Sequence, residues 1–254
     1  SSKAQAASLS HTGSLAPNYL VLEIALQRSG AIQVYTTREL FGALELLQHV
    51  NHTDFSGSVG ILTNAGGVGV LSSDLCEEAH LDLARPSEAT IEKLRAVLTA
   101  EASVGNPIDV VGDAKADRYE NALRVLCESG EYKNIIVLLT PQMSTEPTET
   151  AEAVVKLAKE YKNVNIFCSF IGGQRVREAV NLLKAANVLA YDYPTDCIRL
   201  LGLMKAQMAF KGKPEVKAEL REVPAEIRED VKKAVADGLA SLPQSTMNKI
   251  MDHY

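Results

Sequence analysis

The segment Ser58-Val59-Gly60-Ile61-Leu62-Thr63-Asn64-Ala65-Gly66-Gly67-Val68-Gly69-Val70 joins an apolar stretch to a glycine-rich turn. Residues 58–64 form a largely continuous apolar run, which is typical of a strand buried on both faces of a parallel sheet. The spacing of apolar residues after the turn predicts a helix over 68–79. The segment therefore indicates the strand–turn–helix unit of an α/β fold.

The same unit recurs down to about residue 210. Further predicted strands cover 81–84, 107–111, 134–139, 164–170 and 188–191. Further predicted helices cover 88–98, 117–128, 148–161, 174–186 and 195–210. Apolar strands that alternate with helices form parallel sheets with helices on both faces. We therefore predict a flavodoxin-like, doubly wound α/β domain over residues 58–211.

The segments on either side of this domain are mainly helical. The predicted elements there are helices over 18–29, 37–50, 225–240 and 246–253 and a strand over 31–35. A polar stretch at 51–57 predicts a domain boundary, and the charged, proline-containing stretch 212–223 predicts a linker.

Composition excludes several classes of partner. Twenty-six Lys and Arg residues against 32 Asp and Glu residues give a net charge of −6 with no basic tract, so we expect no nucleic-acid binding. No apolar run approaches the roughly 20 residues of a membrane-spanning helix. Four scattered cysteines without CxxC spacing favour reduced thiols in the cytoplasm. No histidine pair has metal-ligand spacing, so the chain is predicted to hold no metal site.

The turn Asn64-Ala65-Gly66-Gly67-Val68-Gly69 lies where a buried strand passes into a helix. The free N–H groups and the dipole at a helix start favour an anion, and glycines allow a ligand to approach the backbone. The turn is neither a GxGxxG fingerprint nor a Walker A loop, since no Gly-Lys-Ser/Thr follows. The residues leave two interpretations open, a phosphate-binding turn and a purely structural one.

Three other segments are predicted at strand ends, the edge where open α/β sheets bind ligands. They cover 106–114, 139–144 and 170–174. Asp113, in the first of them, is interpreted mainly as a carboxylate that caps the following helix.

A histidine stands among small and hydroxyl residues in Leu9-Ser10-His11-Thr12-Gly13-Ser14-Leu15. Further motifs are Ile61-Leu62-Thr63-Asn64-Ala65-Gly66-Gly67-Val68-Gly69-Val70, Asn106-Pro107-Ile108-Asp109, Gly112-Asp113-Ala114, Leu139-Thr140-Pro141-Gln142 and Tyr193-Pro194-Thr195. In this order, over almost the whole chain, the sequence resembles the ADP-forming acyl-CoA synthetases, relatives of succinyl-CoA synthetase.

The resemblance implies that His11 is a phosphate carrier. It would take a phosphoryl group from an acyl phosphate and pass it to ADP, or run the reverse. Ser10, Thr12 and Gly13 would support the loop, and the turn formed by Asn64, Ala65, Gly66, Gly67, Val68 and Gly69 would bind the phosphate. The implied reaction converts acyl-CoA, ADP and phosphate into carboxylic acid, CoA and ATP.

The resemblance also implies a domain organisation. Residues 1–53 would be the C-terminal part of the phosphohistidine-bearing CoA-ligase domain, 58–211 the flavodoxin-like succinyl-CoA-ligase-type domain, and 212–254 a linker with the start of an ATP-grasp domain. A CoA-binding Rossmann domain would precede the chain and an ATP-grasp domain would follow, in the same chain or a separate subunit. CoA, ADP or ATP, and Mg²⁺ would act in the intact oligomeric enzyme, whereas the fragment would bind none of them tightly and would not turn over.

Two other functions are compatible with the residues. One is a non-catalytic, synthetase-like ligand-sensing module fused to an acetyltransferase, and retention of His11 argues against it. The other is a stand-alone nucleotide binder of flavodoxin-like fold, for which the sequence carries no cofactor motif.

Overall fold

The computed structural model describes residues 19–49, 55–211 and 222–253. The chain divides into two units, Ser1–Lys213 and Pro214–Tyr254. The first contains a parallel sheet with the strand order β2-β1-β3-β4-β5. Its strands are β1 (Val59–Thr63), β2 (Ile108–Asp109), β3 (Asn134–Leu139), β4 (Asn165–Phe170) and β5 (Leu189–Tyr191). This order is that of flavodoxin-like folds, so the predicted fold class is confirmed.

Helices cover both faces of the sheet. They are α2 (Thr37–His49), α3 (Gly66–Glu78), α4 (Glu88–Val97), α5 (Ala116–Ser129), α6 (Pro147–Glu160), α7 (Arg177–Ala185) and α8 (Pro194–Lys211). The helix that precedes them, α1 (Tyr19–Ser29), buries none of its residues. One core lies between the sheet and α4, α5, α6 and α7. The other lies between the sheet and α2, α3 and α8.

The second unit carries α9 (Ala225–Ala236) and α10 (Gln244–His253), which agree with the predicted helical tail. The first of them is shorter than the predicted 225–240, because Gly238 adopts a φ of +67° and ends the helical path. Lys249 of α10 pairs with Glu226 and, at 2.9 Å, with Asp230 of α9. These ion pairs link the two helices.

Two of the predicted strands are wrong. Among the described residues, none pairs with 31–35 as a strand, and the Tyr35 N–H donates instead to Glu39 Oε2 at 2.7 Å. Residues 81–84 likewise form no strand, although the Asp82 carbonyl accepts from the Val59 N–H at 2.7 Å. Both stretches contain apolar residues, but neither is a strand of the sheet.

The predicted strand over 107–111 shortens to two residues. Pro107 has no N–H to donate to a neighbouring strand. Val111 has a φ of +70°, a conformation that a β-branched residue rarely adopts, and it ends the strand at the other side. The predicted helix over 174–186 is also divided, into a 3₁₀ turn, Gly173–Val176, and α7.

A capping box begins α2 and attaches it to α8. The Glu39 N–H donates to Thr36 Oγ1 at 3.1 Å, and the Thr36 N–H donates to Glu39 Oε2 at 3.3 Å. The other carboxylate oxygen of Glu39 pairs with Arg199 of α8 at 2.8 Å. In a second ion pair the charges are exchanged: the basic residue, Arg38, is on α2 and pairs with the acidic Asp196 of α8 at 2.7 Å. Two crossed ion pairs therefore fix the start of α2 against α8.

Among the described residues, no helix is long and apolar enough to cross a membrane. The four cysteines are buried and form no disulfide. Burial raises the pKa of the Cys76 and Cys127 thiols to about 12, so neither is a reactive thiolate near neutral pH.

We predict that Glu39→Ala lowers the free energy of unfolding by roughly 1–2 kcal/mol, because the capping box is lost. The ion pair to the half-exposed Arg199 contributes less. Urea unfolding of the chain measures the effect. Glu152→Ala, which removes an exposed carboxylate from α6, is the matched control and should change stability by less than about 0.5 kcal/mol. Equal losses in both variants would contradict the role of Glu39.

Candidate functional site

The side chain of Asn64 joins the carboxyl ends of β1 and β3. Its Nδ2 donates to the Thr140 carbonyl at 2.9 Å, and its Oδ1 accepts from the Thr140 N–H at 2.9 Å and from Thr140 Oγ1 at 3.1 Å. Asn64 is 1% exposed. In this strand order the chain reverses its direction of winding between β1 and β3, which is where such folds bind ligands. Asn64 thus holds together the floor of that crevice through three hydrogen bonds to Thr140.

The turn after Asn64 contains two backbone donors that no described residue accepts from. The Ala65 N–H donates to Thr63 Oγ1 at 3.1 Å, and the N–H groups of Val68 and Gly69 donate to the Ala65 carbonyl at 3.1 and 3.0 Å. Among the described residues, none accepts from the N–H of Gly66 or Gly67, and no side chain caps α3. Two adjacent donors at the positive end of a 13-residue helix are a suitable place for an anion.

The glycines of this turn have different surroundings. A Cβ on Gly69 would lie 3.2 Å from Thr63 Cγ2 and 3.3 Å from Pro107 Cβ, so Gly69 permits close packing of α3 on the strands. A Cβ on Gly67 would meet nothing within 4 Å. Among the described residues, none therefore fills the space beside Gly67.

Asp109, at the end of β2, is the neighbouring charge that sequence reasoning missed. Its Oδ1 accepts from the Val111 N–H at 2.9 Å, and its Oδ2 lies 3.1 Å from the position of a Cβ on Gly66. Burial, followed by the charge of Asp109, raises the pKa of Tyr119 well above its usual value. The Tyr119 hydroxyl donates to the Leu138 carbonyl at 2.8 Å. The available signal was its place in the segment 106–114, which the sequence predicted at the ligand-binding edge of the sheet.

Asp113 is not the helix cap that the sequence suggested. Helix α5 begins at Ala116, after Lys115, whose side chain makes no cap; Glu146 Oε2 accepts from the Ala116 N–H at 3.3 Å instead. Asp113 instead accepts from Arg118 Nη1 at 2.6 Å, and this guanidinium lowers the pKa of the carboxyl. The same Nη1 donates to the Val110 carbonyl at 2.9 Å, so the pair closes the loop after β2.

The loops after β3 and β4 meet at the same edge, as predicted for residues 139–144 and 170–174. Arg175 donates to the carbonyls of Pro141 and Gln142 at 3.2 and 3.0 Å. The segments 106–114 and 139–144 thus lie beside the glycine turn, and 170–174 lies beside the second of them. Ser10, His11, Thr12 and Gly13 lie outside the described residues.

A cavity of about 770 Å³ lies elsewhere, in the groove between α3 and α8. Apolar residues such as Leu75, Ala79 and Leu203 line most of it, and no residue of the glycine turn takes part. The described residues contain no group of His, Cys, Asp and Glu side chains that could hold a metal ion. This cavity is therefore separate from the glycine turn.

Comparison with known families assigns most of the chain to one domain family. Residues 59–211 match the model of the Ligase-CoA domain, which covers more than half of the chain. The chain belongs to the Ligase-CoA domain family. Residues 1–47 of this Ligase-CoA chain match a second model, the succinyl-CoA ligase-like flavodoxin domain.

Similar proteins carry consistent names. Acetate–CoA ligase [ADP-forming] I of Archaeoglobus fulgidus is 35% identical over 86% of the chain and 30% of its own length. Acetate–CoA ligase [ADP-forming] of Methanocaldococcus jannaschii is 34% identical over 98% and 36%. A solved structure of Ca. Korarchaeum cryptofilum dinucleotide-forming acetyl-coenzyme A synthetase 1, in complex with phosphate and ADP, matches with a TM-score of 0.75 and 26% identity over 83% of this chain and 46% of that one. The Ligase-CoA chain thus spans about a third of the length of these curated relatives.

We predict that Asn64→Asp destabilises the chain by about 2–3 kcal/mol at pH 7. The carboxylate cannot donate to the Thr140 carbonyl, and a buried charge would face that oxygen. Chemical denaturation measures the loss. Asn163→Asp makes the same change at an exposed position and should be nearly neutral. A stable Asn64→Asp variant would mean that the bridge between β1 and β3 is dispensable.

Proposed function

We propose that the chain supplies the central part of an ADP-forming acyl-CoA ligase. The reaction converts acyl-CoA, ADP and phosphate into a carboxylic acid, CoA and ATP through a phosphohistidine at His11. The observation that carries the proposal is the pair of free N–H groups at Gly66 and Gly67, directly after β1 at the switch point of the sheet. The names of the relatives support the same reaction class.

In the proposed mechanism, His11 alternates between a free and a phosphorylated form. A neutral imidazole nitrogen attacks the phosphorus of the acyl phosphate; the N–P bond forms, and the carboxylate leaves with the electrons of the P–O bond. A terminal oxygen of ADP then attacks the same phosphorus, and the N–P electrons return to the imidazole. The N–H groups of Gly66 and Gly67 stabilise the negative charge of the phosphoryl oxygens during transfer.

Side chains of the turn have supporting roles in this proposal. Asn64, whose side chain is hydrogen-bonded to Thr140, sets the direction of α3. Gly69 has no side chain, so the start of the helix can lie against β1 and Pro107. Ser10, Thr12 and Gly13 belong to the loop that presents His11. Ala65 and Val68 complete the turn through their backbone.

The remaining parts of the reaction are assigned to other domains. We propose that residues 1–53 end the histidine-bearing domain, that 58–211 form the domain with the glycine turn, and that 212–254 lead into an ATP-grasp domain. CoA would bind on a Rossmann domain, and ADP with Mg²⁺ on the ATP-grasp domain, in the same chain or in a partner subunit of a cytoplasmic oligomer. The chain by itself would then fold without catalysing turnover.

The first prediction from this proposal concerns His11. The intact enzyme incubated with γ-labelled ATP should acquire acid-labile, base-stable label, as expected for a phosphorylated imidazole. His11→Ala should acquire none, while its thermal transition stays unchanged. Label that persists in His11→Ala would remove the histidine from the mechanism.

The second prediction concerns the glycines. Gly67→Ala should leave the melting temperature unchanged, because its Cβ meets no atom within 4 Å, but should slow phosphohistidine formation by about 10²–10³ through obstruction of the anion. Gly69→Ala should lower stability as well, because its Cβ crowds Thr63 and Pro107.

Gly105→Ala is the matched control, since a Cβ at Gly105 also meets no atom within 4 Å and the residue lies away from the turn. Stopped-flow phosphorylation of the intact enzyme and thermal unfolding separate the two effects. Normal transfer in a folded Gly67→Ala variant would mean that the turn is structural only.

A further inference from the structure

The groove between α3 and α8 has the size and the lining of a ligand-binding site. Its volume of about 770 Å³ lies within the range of about 300–1,000 Å³ that is typical of pockets for small organic molecules. The apolar part of its lining consists of Leu75 and Ala79 of α3 and Leu203, Ala206 and Ala209 of α8. The proposed phosphoryl transfer uses none of these residues.

One face of α8 forms a wall of the groove. Thr195, Arg199, Leu203, Ala206 and Ala209 all line it and follow one another at intervals of three or four residues, which places them on one face of the helix. At 1.5 Å per residue this stripe is about 21 Å long. Its first two residues are polar and its last three are apolar. The wall therefore matches an elongated ligand with one polar end and one apolar end.

Two contacts between α3 and α8 fix the width of the groove. A Cβ on Gly202 would lie only 2.9 Å from Ala79 Cβ, so the helices touch at this point. Lys205 Nζ donates to the His80 carbonyl at 2.7 Å and ties the end of α3 to α8. The groove is therefore formed before any ligand enters it.

The polar end of the groove offers a cation. Both carboxylate oxygens of Glu39 are used, because Oε2 accepts from the N–H groups of Tyr35 and Thr36 and Oε1 pairs with Arg199 at 2.8 Å. The Glu39 side chain is only 11% exposed, whereas that of Arg199 is 54% exposed. A guanidinium carries five N–H donors, so Arg199 keeps donors for a ligand.

The other polar groups of the lining agree with an anion at this end. Thr195 lies in the first turn of α8, where its hydroxyl is beside the positive end of the helix dipole. The second lining carboxylate, Glu78, is the last residue of α3, at the end that Lys205 closes. The surroundings of Arg199 therefore favour a negatively charged head group.

We propose that this groove is a second ligand site, which binds an organic carboxylate with a medium-length apolar chain. The carboxylate lies at Thr195 and Arg199, and the chain extends along Leu203 and Ala206 against Leu75. Helix α3 connects the two sites of the domain, since it begins at the glycine turn and ends in the groove. The proposal does not rest on phosphoryl transfer through His11.

Titration of the 254-residue chain with sodium decanoate tests the proposal, with backbone amide NMR as the readout. Shifts should concentrate in residues 75–80 and 199–209, with a Kd of about 1 mM, as expected for a ligand of this size. Decylammonium has the same chain and the opposite charge, and should bind about fivefold more weakly. Butyrate, which lacks most of the chain, should bind more weakly by about tenfold or more.

Two kinds of variant separate the head group from the chain. Arg199→Gln should weaken decanoate binding by about fivefold and remove its preference over decylammonium. Ala206→Trp should fill the groove and weaken both ligands, and Ala209→Trp repeats this test further along α8; both alanines are exposed, so the fold should be retained. Arg95→Gln and Ala96→Trp, at exposed positions on α4, are the matched controls and should bind decanoate normally.

Several results would overturn the proposal. Equal affinity for decanoate and decylammonium would show a generic apolar surface, and shifts outside the groove would place the ligand elsewhere. Broadening of the groove amides that depends on chain concentration without ligand would favour a second copy. The intact protein should bind decanoate as the chain does; loss of binding there, with slow amide exchange over 203–209, would favour a protein segment that covers the groove. None of these measurements depends on labelling of His11.

Discussion

The reciprocal hydrogen bonding between Asn64 and Thr140 is the contact on which the candidate site depends. It connects residues 76 positions apart at the carboxyl ends of β1 and β3, where the strand order reverses. A buried amide with three partners has one stable orientation, since any other would leave donors and acceptors unpaired. The turn that follows therefore starts from a fixed point, and α3 begins two residues later, at Gly66.

The residues of the turn form one motif in the sequence but have different roles in the structure. Asn64 contributes a bridge, Gly69 permits close packing, and Gly66 with Gly67 contributes the exposed N–H groups. Asp109 adds a carboxylate beside the same helix end. An anion at this point interacts with the helix dipole and with a nearby negative charge of opposite effect.

The contact between α2 and α8 shows how the segment before the sheet is integrated with it. Glu39 both caps its own helix and pairs with Arg199, so the start of α2 and its orientation depend on one carboxylate. The exposed ion pairs alone would contribute little. Together with the burial of Leu46 they determine which side of α2 meets the core.

Much of the fold follows from local pattern. The apolar run of β3 and the helical periodicity of α6 and α8 predicted these elements to within a residue or so, because burial on a sheet imposes a period that the sequence must carry. Residues 31–35 and 81–84 have the same composition as strands, yet neither pairs as one. Whether an apolar stretch becomes a strand depends on a free sheet edge, and that is a property of the whole domain.

The candidate site, like the fold, could be predicted from the sequence only in part. The sequence by itself determined that a glycine-rich turn follows a buried strand and starts a helix, because strand, turn and helix are contiguous. Only the tertiary structure decided that Asn64 is engaged by Thr140, that Asp109 rather than Asp113 lies beside the turn, and that Arg118 takes the carboxylate of Asp113. Side-chain partners of this kind come from different strands, and the order in which strands assemble is set by packing of the complete sheet rather than by any local spacing of residues.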